Sequence, residues 1–157
     1  MKLFFKYAFI ALFLIIGIST IRLYIFGNSL PNFQYKNINN KIVHGTSLPK
    51  KKTLFFFFTT NCGSCEIGAQ EICNFGKQNP NVNLVFITEN QNIEEVKKFI
   101  KNNKIYEVTK NIFIDYNRNF REDFGLGISI SIPTILYYDE NGKYLKEIKD
   151  FDELSLI

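Results

Sequence analysis

Apolar residues along the chain form short blocks separated by polar, turn-forming stretches, and the spacing within each block predicts an element. The most apolar block, residues 54–58, is aromatic and does not alternate, which favours a central strand over residues 53–59 covered on both faces. Residues 82–88 predict a second buried strand. Apolar residues three to four apart over residues 92–102 predict a helix packed on the sheet.

The last third of the chain predicts shorter elements. Residues 135–138 and 144–148 predict an antiparallel hairpin, because the turn between them contains Asn141-Gly142. Residues 111–116 predict an extended segment, residues 118–124 a short helix that stops at Gly125 and Gly127, and residues 151–157 a last helical turn. Before the first central strand, residues 32–36 and 42–43 predict two short strands around an asparagine turn.

The N-terminal 27 residues form a separate segment. Lys2 and Lys6 precede an apolar run from Tyr7 to Ile21, and apolar residues continue after Arg22. The pattern favours a retained membrane anchor over a cleaved signal peptide, with the N-terminus cytoplasmic and the remaining chain outside the cytoplasm. We therefore predict a signal anchor or transmembrane segment over residues 1–27 and one folded domain over residues 28–157.

Composition and charge are those of one globular domain plus a short segment. The chain has 157 residues, 46% hydrophobic and 22% charged, and a net charge of +4. Without the three basic residues of the N-terminal segment, the balance is close to neutral, which argues against nucleic-acid binding. No acidic residue precedes Glu66, whereas residues 50–52 are all lysine. This run favours a solvated lysine-rich loop over a basic edge beside a membrane.

The candidate chemistry lies at Cys62 and Cys65, directly after the most apolar strand. The following residues suit a helix over residues 62–77, with Glu66 and Glu71 in its early turns. A cysteine at a helix N-terminus has a stabilised thiolate, so Cys62 is the predicted nucleophile and Cys65 its disulfide partner. Three cysteines are too few for a disulfide framework, which leaves a redox pair or a metal site.

The strand, the Cys-x-x-Cys pair that opens a helix and the later Ile132-Pro133-Thr134 resemble the thioredoxin fold. More narrowly, residues 32–157 are similar to membrane-anchored, thioredoxin-like thiol-disulfide oxidoreductases of the bacterial cell envelope, a group that includes proteins of cytochrome c maturation. The resemblance implies a three-layer α/β sandwich, with a mixed central sheet and helices on both faces. It also implies a cis peptide bond before Pro133. The implied catalytic residues are Cys62 and Cys65, and the implied substrate-binding residues are Gly63, Ser64, Ile132 and Pro133.

The same resemblance implies the partners. They are a disulfide-containing protein substrate and a separate membrane electron donor or acceptor, while the chain itself is a monomer of the inner membrane with its catalytic domain in the periplasm. No cofactor and no metal are implied. Ile132 is similar to the residue before the cis proline of thioredoxin, which favours a reductant. Ser64, Asn61 and Phe56 depart from thioredoxin, which has proline, tryptophan and a buried carboxylate at these positions, so the reduction potential stays open.

Two other functions are compatible with parts of the sequence. Cys62, Cys65, Cys73 and His44 are four ligands that zinc or copper(I) accepts, as in a metallochaperone. However, eight helical residues place Cys73 about 12 Å from Cys65, whereas ligands of one ion lie within about 4 Å of each other. A thiol peroxidase is the second alternative, because Thr59-x-x-Cys62 is shared with peroxiredoxins, but Phe55 occupies the position of a proline that those enzymes need.

Overall fold

The computed structural model describes residues 29–157, so the predicted anchor over residues 1–27 lies outside the described residues. Seven strands are present in this part of the chain: β1 (Gln34–Asn37), β2 (Ile42–His44), β3 (Thr53–Phe58), β4 (Asn83–Thr88), β5 (Ile112–Ile114), β6 (Thr134–Tyr138) and β7 (Tyr144–Glu147). They form one mixed sheet in the order β2-β1-β5-β4-β3-β6-β7.

Three α-helices connect these strands: α1 (Gly63–Gln78), α2 (Ile93–Asn102) and the single turn α3 (Phe120–Asp123). Short 3₁₀ turns occur at Gly45–Ser47, Ile105–Glu107 and Phe151–Leu156. None of the helices in residues 29–157 has both the length and the apolar character needed to cross a membrane.

The centre of the sheet is β3, as the unalternated aromatic run predicts. All six of its residues are buried, and it pairs in parallel with β4 and antiparallel with β6. Because successive side chains of a strand point to opposite faces, Phe56 and Phe58 enter one core while Phe55 and Phe57 enter the other. Both faces of β3 are therefore apolar, which is why the run shows no alternation.

Helices cover both faces of the sheet, in agreement with the predicted α/β architecture. On one face, α1 and α2 pack through residues such as Ile72 and Phe99, and the last 3₁₀ turn joins them. On the other face, α3 contributes Phe120, whose ring stacks on Phe57 with centroids 4.2 Å apart. Phe33, from the segment before β1, completes this second core.

The predicted early strand pair is present, but it does not stand apart from the main sheet. β1 pairs antiparallel with β2 and also with β5, where Lys36 lies opposite Ile114. The predicted short helix over residues 118–124 shrinks to α3, since Arg118 has a left-handed backbone (φ 58°) and the buried Asp115 accepts the Phe120 N–H at 2.6 Å. The predicted strand over residues 144–148 ends at Glu147.

Strand direction gives the sheet two distinct ends. The parallel strands β3 and β4 finish at Phe58 and Thr88 on one end, where the antiparallel β6 begins. The opposite end carries the start of β3 at Thr53 and the turn between β6 and β7. Residues that follow β3 and residues that precede β6 therefore meet at the same end.

Candidate functional site

Cys62 caps the N-terminus of α1. Its backbone is extended, and its sulfur accepts a hydrogen bond from the Cys65 N–H at 3.2 Å. Cys62 is partly exposed, whereas Cys65, one turn along the helix, is fully buried against β3. Both are free thiols. One sulfur is thus accessible to a partner molecule and the other is shielded behind it.

The surroundings of the two thiols give them different pKa values. Burial opposes ionisation of Cys62, but hydrogen bonds from the Cys65 side chain, the Ser64 hydroxyl and the Cys65 N–H outweigh it, so the pKa of Cys62 lies below its ordinary value. Burial, with a smaller contribution from Cys62, raises the pKa of Cys65 to about 12. Of the two thiols, Cys62 therefore ionises first as the pH rises.

Ser64 connects the helix to the loop before β6. Its Oγ lies 3.0 Å from the Cys62 sulfur and donates a hydrogen bond to the Ile132 carbonyl at 3.4 Å. These contacts bring together residues nearly seventy positions apart in sequence.

The Ile132–Pro133 peptide bond is cis, which confirms that prediction. Ile132 is 42% exposed, and its carbonyl accepts a hydrogen bond from Ser64, the neighbour of Cys65. A groove of about 680 Å³ opens there between the start of α1, the residues before β6 and the segment after β7. Its lining includes Ser64, Ser129, Ser131, Ile132, Pro133 and Phe151. The groove adjoins Cys62 through Ser64, which is part of its lining and whose Oγ lies 3.0 Å from the Cys62 sulfur.

The remaining predicted residues occupy simpler positions. Gly63 is exposed, and no atom lies within 4 Å of where its Cβ would be, so it leaves the approach to Cys62 open. Cys73 lies on the buried face of α1, and burial raises its pKa to about 11. His44 is exposed at the end of β2. Among residues 29–157, no three Cys, His, Asp or Glu side chains converge as metal ligands would.

A polar network behind Cys62 is absent from the sequence predictions. The Asn90 side-chain amide donates to Thr60 Oγ1 at 2.6 Å and to Glu95 Oε2 at 2.8 Å. It ties the loop after β3 to the loop after β4 and to the first turn of α2. Thr59 comes into the sequence analysis only through the comparison with peroxiredoxins, whereas in the structure its hydrogen bonds lower the pKa values of both cysteines. No motif marks Thr60, Asn90 or Glu95, since their proximity arises from the pairing of β3 with β4.

This geometry suits thiol-disulfide exchange. An exposed, more acidic thiol can attack a disulfide, and a buried, less acidic thiol one helical turn away can then displace the bound partner. Both steps require the two sulfurs to lie at the start of one helix, as those of Cys62 and Cys65 do here.

Comparison with known proteins agrees with this fold. The Redoxin family model matches residues 26–153. No curated protein matches the chain in sequence. Three solved structures are similar over most of their length, and at 17 to 21% identity their likeness shows the shared fold.

The first is a secreted disulfide oxidoreductase of Mycobacterium tuberculosis, described as homologous to E. coli DsbE (19% identity, TM-score 0.65, covering 79% of this chain and 92% of that chain). The second is the thioredoxin domain of a thiol-disulfide oxidoreductase from Bacteroides vulgatus (17% identity, TM-score 0.69, covering 82% of this chain and 91% of that chain). The third is a thiol:disulfide interchange protein of the thioredoxin family from Chlorobium tepidum (21% identity, TM-score 0.65, covering 81% of this chain and 92% of that chain).

Proposed function

The chain belongs to the Redoxin family of thiol-disulfide oxidoreductases, and we propose that it reduces disulfide bonds of other proteins outside the cytoplasm, with Cys62 and Cys65 as its redox pair. The observation that carries this proposal is the contrast between the two thiols. Cys62 is accessible with a lowered pKa, and Cys65 is buried with a raised pKa.

The reaction proceeds in two exchanges. The Cys62 thiolate attacks one sulfur of the substrate disulfide, a mixed disulfide forms, and the other substrate sulfur leaves as a thiolate that takes up a proton. Cys65 then loses its proton and attacks the Cys62 sulfur, which releases the second substrate thiol. The substrate disulfide gains two electrons, and the Cys62–Cys65 pair loses them as it closes to a disulfide.

The groove beside Cys62 is the proposed substrate site. Ile132 presents its exposed side chain and the adjoining backbone next to the thiol, and an extended substrate segment can pair with such a backbone as a short β-strand. Pro133 and Ser64 form the neighbouring walls, and Gly63 leaves the approach open.

The direction and the location rest on similarity. Ile132 is the residue type that precedes the cis proline of thioredoxin, which supports reduction, and a thiol-disulfide transporter of the membrane is the proposed electron donor. The Mycobacterium tuberculosis relative is described as secreted. Together with the apolar N-terminal segment, this supports a catalytic domain outside the cytoplasm, held by the segment over residues 1–27. Proteins that need reduced cysteines there, such as apocytochromes c, are the proposed substrates.

The test is the reduction potential of the Cys62–Cys65 pair in the purified full chain, measured by equilibration with dithiothreitol or glutathione buffers. A value near that of thioredoxin, about −270 mV, agrees with a reductant. A value near about −120 mV marks an oxidant that introduces disulfides and overturns the proposed direction.

The matched control is Cys73→Ser. Cys73 is buried and its pKa is raised to about 11, so this variant is expected to give the same potential as the native chain. A different potential in Cys73→Ser would mean that the third thiol exchanges with the pair, and the assignment of the redox pair would then be wrong.

A further inference from the structure

Four exposed lysines gather at the end of the sheet opposite Cys62. Lys50, Lys51 and Lys52 lead into β3, and Lys143 follows the turn between β6 and β7. We call these four residues the lysine end. Lys50 and Lys51 line a cavity of about 260 Å³ together with that turn, so the lysines before β3 and the turn before Lys143 are neighbours in space. The sequence alone favours a solvated loop for residues 50–52, whereas the fold adds Lys143 to the same surface.

Little negative charge opposes these lysines. In residues 29–157 there are three ion pairs, and none of them includes a residue of the lysine end. The adjacent turn contains two carboxylates. Asp139 accepts hydrogen bonds from the backbone N–H groups of Asn141 and Lys143, at 2.9 and 2.8 Å. Glu140 is the other, and it is exposed. The surface therefore carries a net positive charge.

The N-terminal segment joins the domain at this same end. Ser29 forms a β-bridge with Lys143, and the Leu30 N–H donates to the Gly142 carbonyl at 2.6 Å. Residues 1–28, with their apolar run from Tyr7 to Ile21, are therefore attached beside the lysine end. Cys62 lies beyond the far end of β3, whose six residues alone span about 17 Å.

We propose that the lysine end lies against an anionic phospholipid surface, with the lysines facing headgroup phosphates and Cys62 directed away from the membrane. Charge complementarity selects this partner, since each lysine near an anionic bilayer strengthens the association by roughly fivefold. The attachment of residues 1–28 at the same end holds the lysines near that surface. This inference rests on the proposed membrane attachment, and it is independent of the redox reaction and of its direction.

The test uses the full chain reconstituted into vesicles of phosphatidylcholine, or of equal parts phosphatidylcholine and phosphatidylglycerol. A membrane-impermeant amine reagent labels accessible lysines, and mass spectrometry reads each position. We expect labelling of the lysine end to fall about fivefold or more on the anionic vesicles, and to recover at about 0.5 M salt. Lys97, Lys98 and Lys101, exposed on α2, are the internal reference and should change less than twofold.

Equal changes at both sets of lysines, or failure of the vesicles to retain the full chain, would overturn the proposal. A matched pair of variants sharpens the test. Replacing Lys50, Lys51 and Lys52 with Gln should abolish the protection of Lys143, because the loss of three lysines weakens the association with the anionic surface roughly a hundredfold. Replacing Lys97, Lys98 and Lys101 with Gln removes the same charge and should leave Lys143 protected. Loss of Lys143 protection in both variants would contradict a specific surface.

Discussion

The Ser64 hydroxyl oxygen lies 3.0 Å from the Cys62 sulfur and 3.4 Å from the Ile132 carbonyl oxygen. The hydroxyl has one proton, so it can donate to only one of these acceptors at a time. When Cys62 is ionised, the charged sulfur is the stronger acceptor and the proton belongs there. When the sulfur is in a disulfide, the carbonyl is the better acceptor. Ser64 therefore links the ionisation state of the nucleophile to the backbone of the proposed substrate groove.

Ser64→Ala tests this link. The variant loses a hydrogen bond to the thiolate, so the pKa of Cys62 should rise and less thiolate should be present at neutral pH. A higher pKa also makes the thiolate more nucleophilic, which offsets part of the loss. We expect alkylation of Cys62 by iodoacetamide at pH 7 to slow by about twofold to fourfold.

The matched control is Ser129→Ala. Ser129 lines the same groove, and it is not among the groups that shift the pKa of Cys62. It should leave the alkylation rate unchanged. An unchanged rate in Ser64→Ala, or an equal slowing in both variants, would exclude a direct effect of Ser64 on the thiolate.

The pH dependence of alkylation should differ between the two thiols of the pair. Only the thiolate reacts, so each rate rises with pH and levels off once the pKa is passed. For Cys62 the plateau should come at a lower pH than for free glutathione, because hydrogen bonds lower its pKa. Cys65 has a pKa of about 12 and should stay unmodified through pH 9 in the folded chain. Mass spectrometry after timed quenching measures both. Modification of Cys65 before Cys62 would reverse the assigned roles.

Gly45 joins the early strand pair to the second core. A Cβ at this position would collide with the Pro31 carbonyl oxygen, and the Gly45 N–H donates a hydrogen bond to the Phe33 carbonyl at 2.9 Å. Gly45→Ala must therefore displace the backbone, and we expect the free energy of unfolding to fall by about 1–3 kcal/mol. Urea denaturation of the reduced chain measures this loss. Gly127→Ala is the control, because no atom lies within 4 Å of its Cβ position, and its change should stay within about 0.5 kcal/mol. A fully stable Gly45→Ala would show that the early strands are loosely attached.

Local patterns predict the elements of this fold well where one local signal dominates. The aromatic run of β3 is covered on both faces, and Gly142 has the positive φ (75°) that the Asn-Gly turn needs. The resemblance places Pro133 opposite Cys62 and predicts its cis bond correctly. The hairpin of β6 and β7 and the helix after Cys62 are likewise predicted by local signals, the Asn-Gly turn and the carboxylates in the early turns of the helix.

Contacts between distant segments are the part that sequence does not predict. The pairing of β1 with β5, the Thr60–Asn90–Glu95 network and the cavity that Lys50 and Lys51 share with the turn between β6 and β7 all depend on topology. The residues of the network and of the cavity are mostly ordinary polar side chains when viewed locally, and β5 is only a three-residue apolar stretch. Their proximity follows from strand order, which no local pattern encodes.

Trapping of mixed disulfides by the two single-cysteine variants of the pair distinguishes the nucleophilic thiol from the resolving thiol. The full-length Cys65→Ser and Cys62→Ser variants, each also carrying Cys73→Ser, are incubated with a disulfide-containing protein and analysed by non-reducing electrophoresis. We expect Cys65→Ser to accumulate a covalent complex through Cys62, because no second thiol resolves it, while Cys62→Ser accumulates none. Equal trapping by both variants, or trapping by Cys62→Ser alone, would contradict Cys62 as the nucleophile.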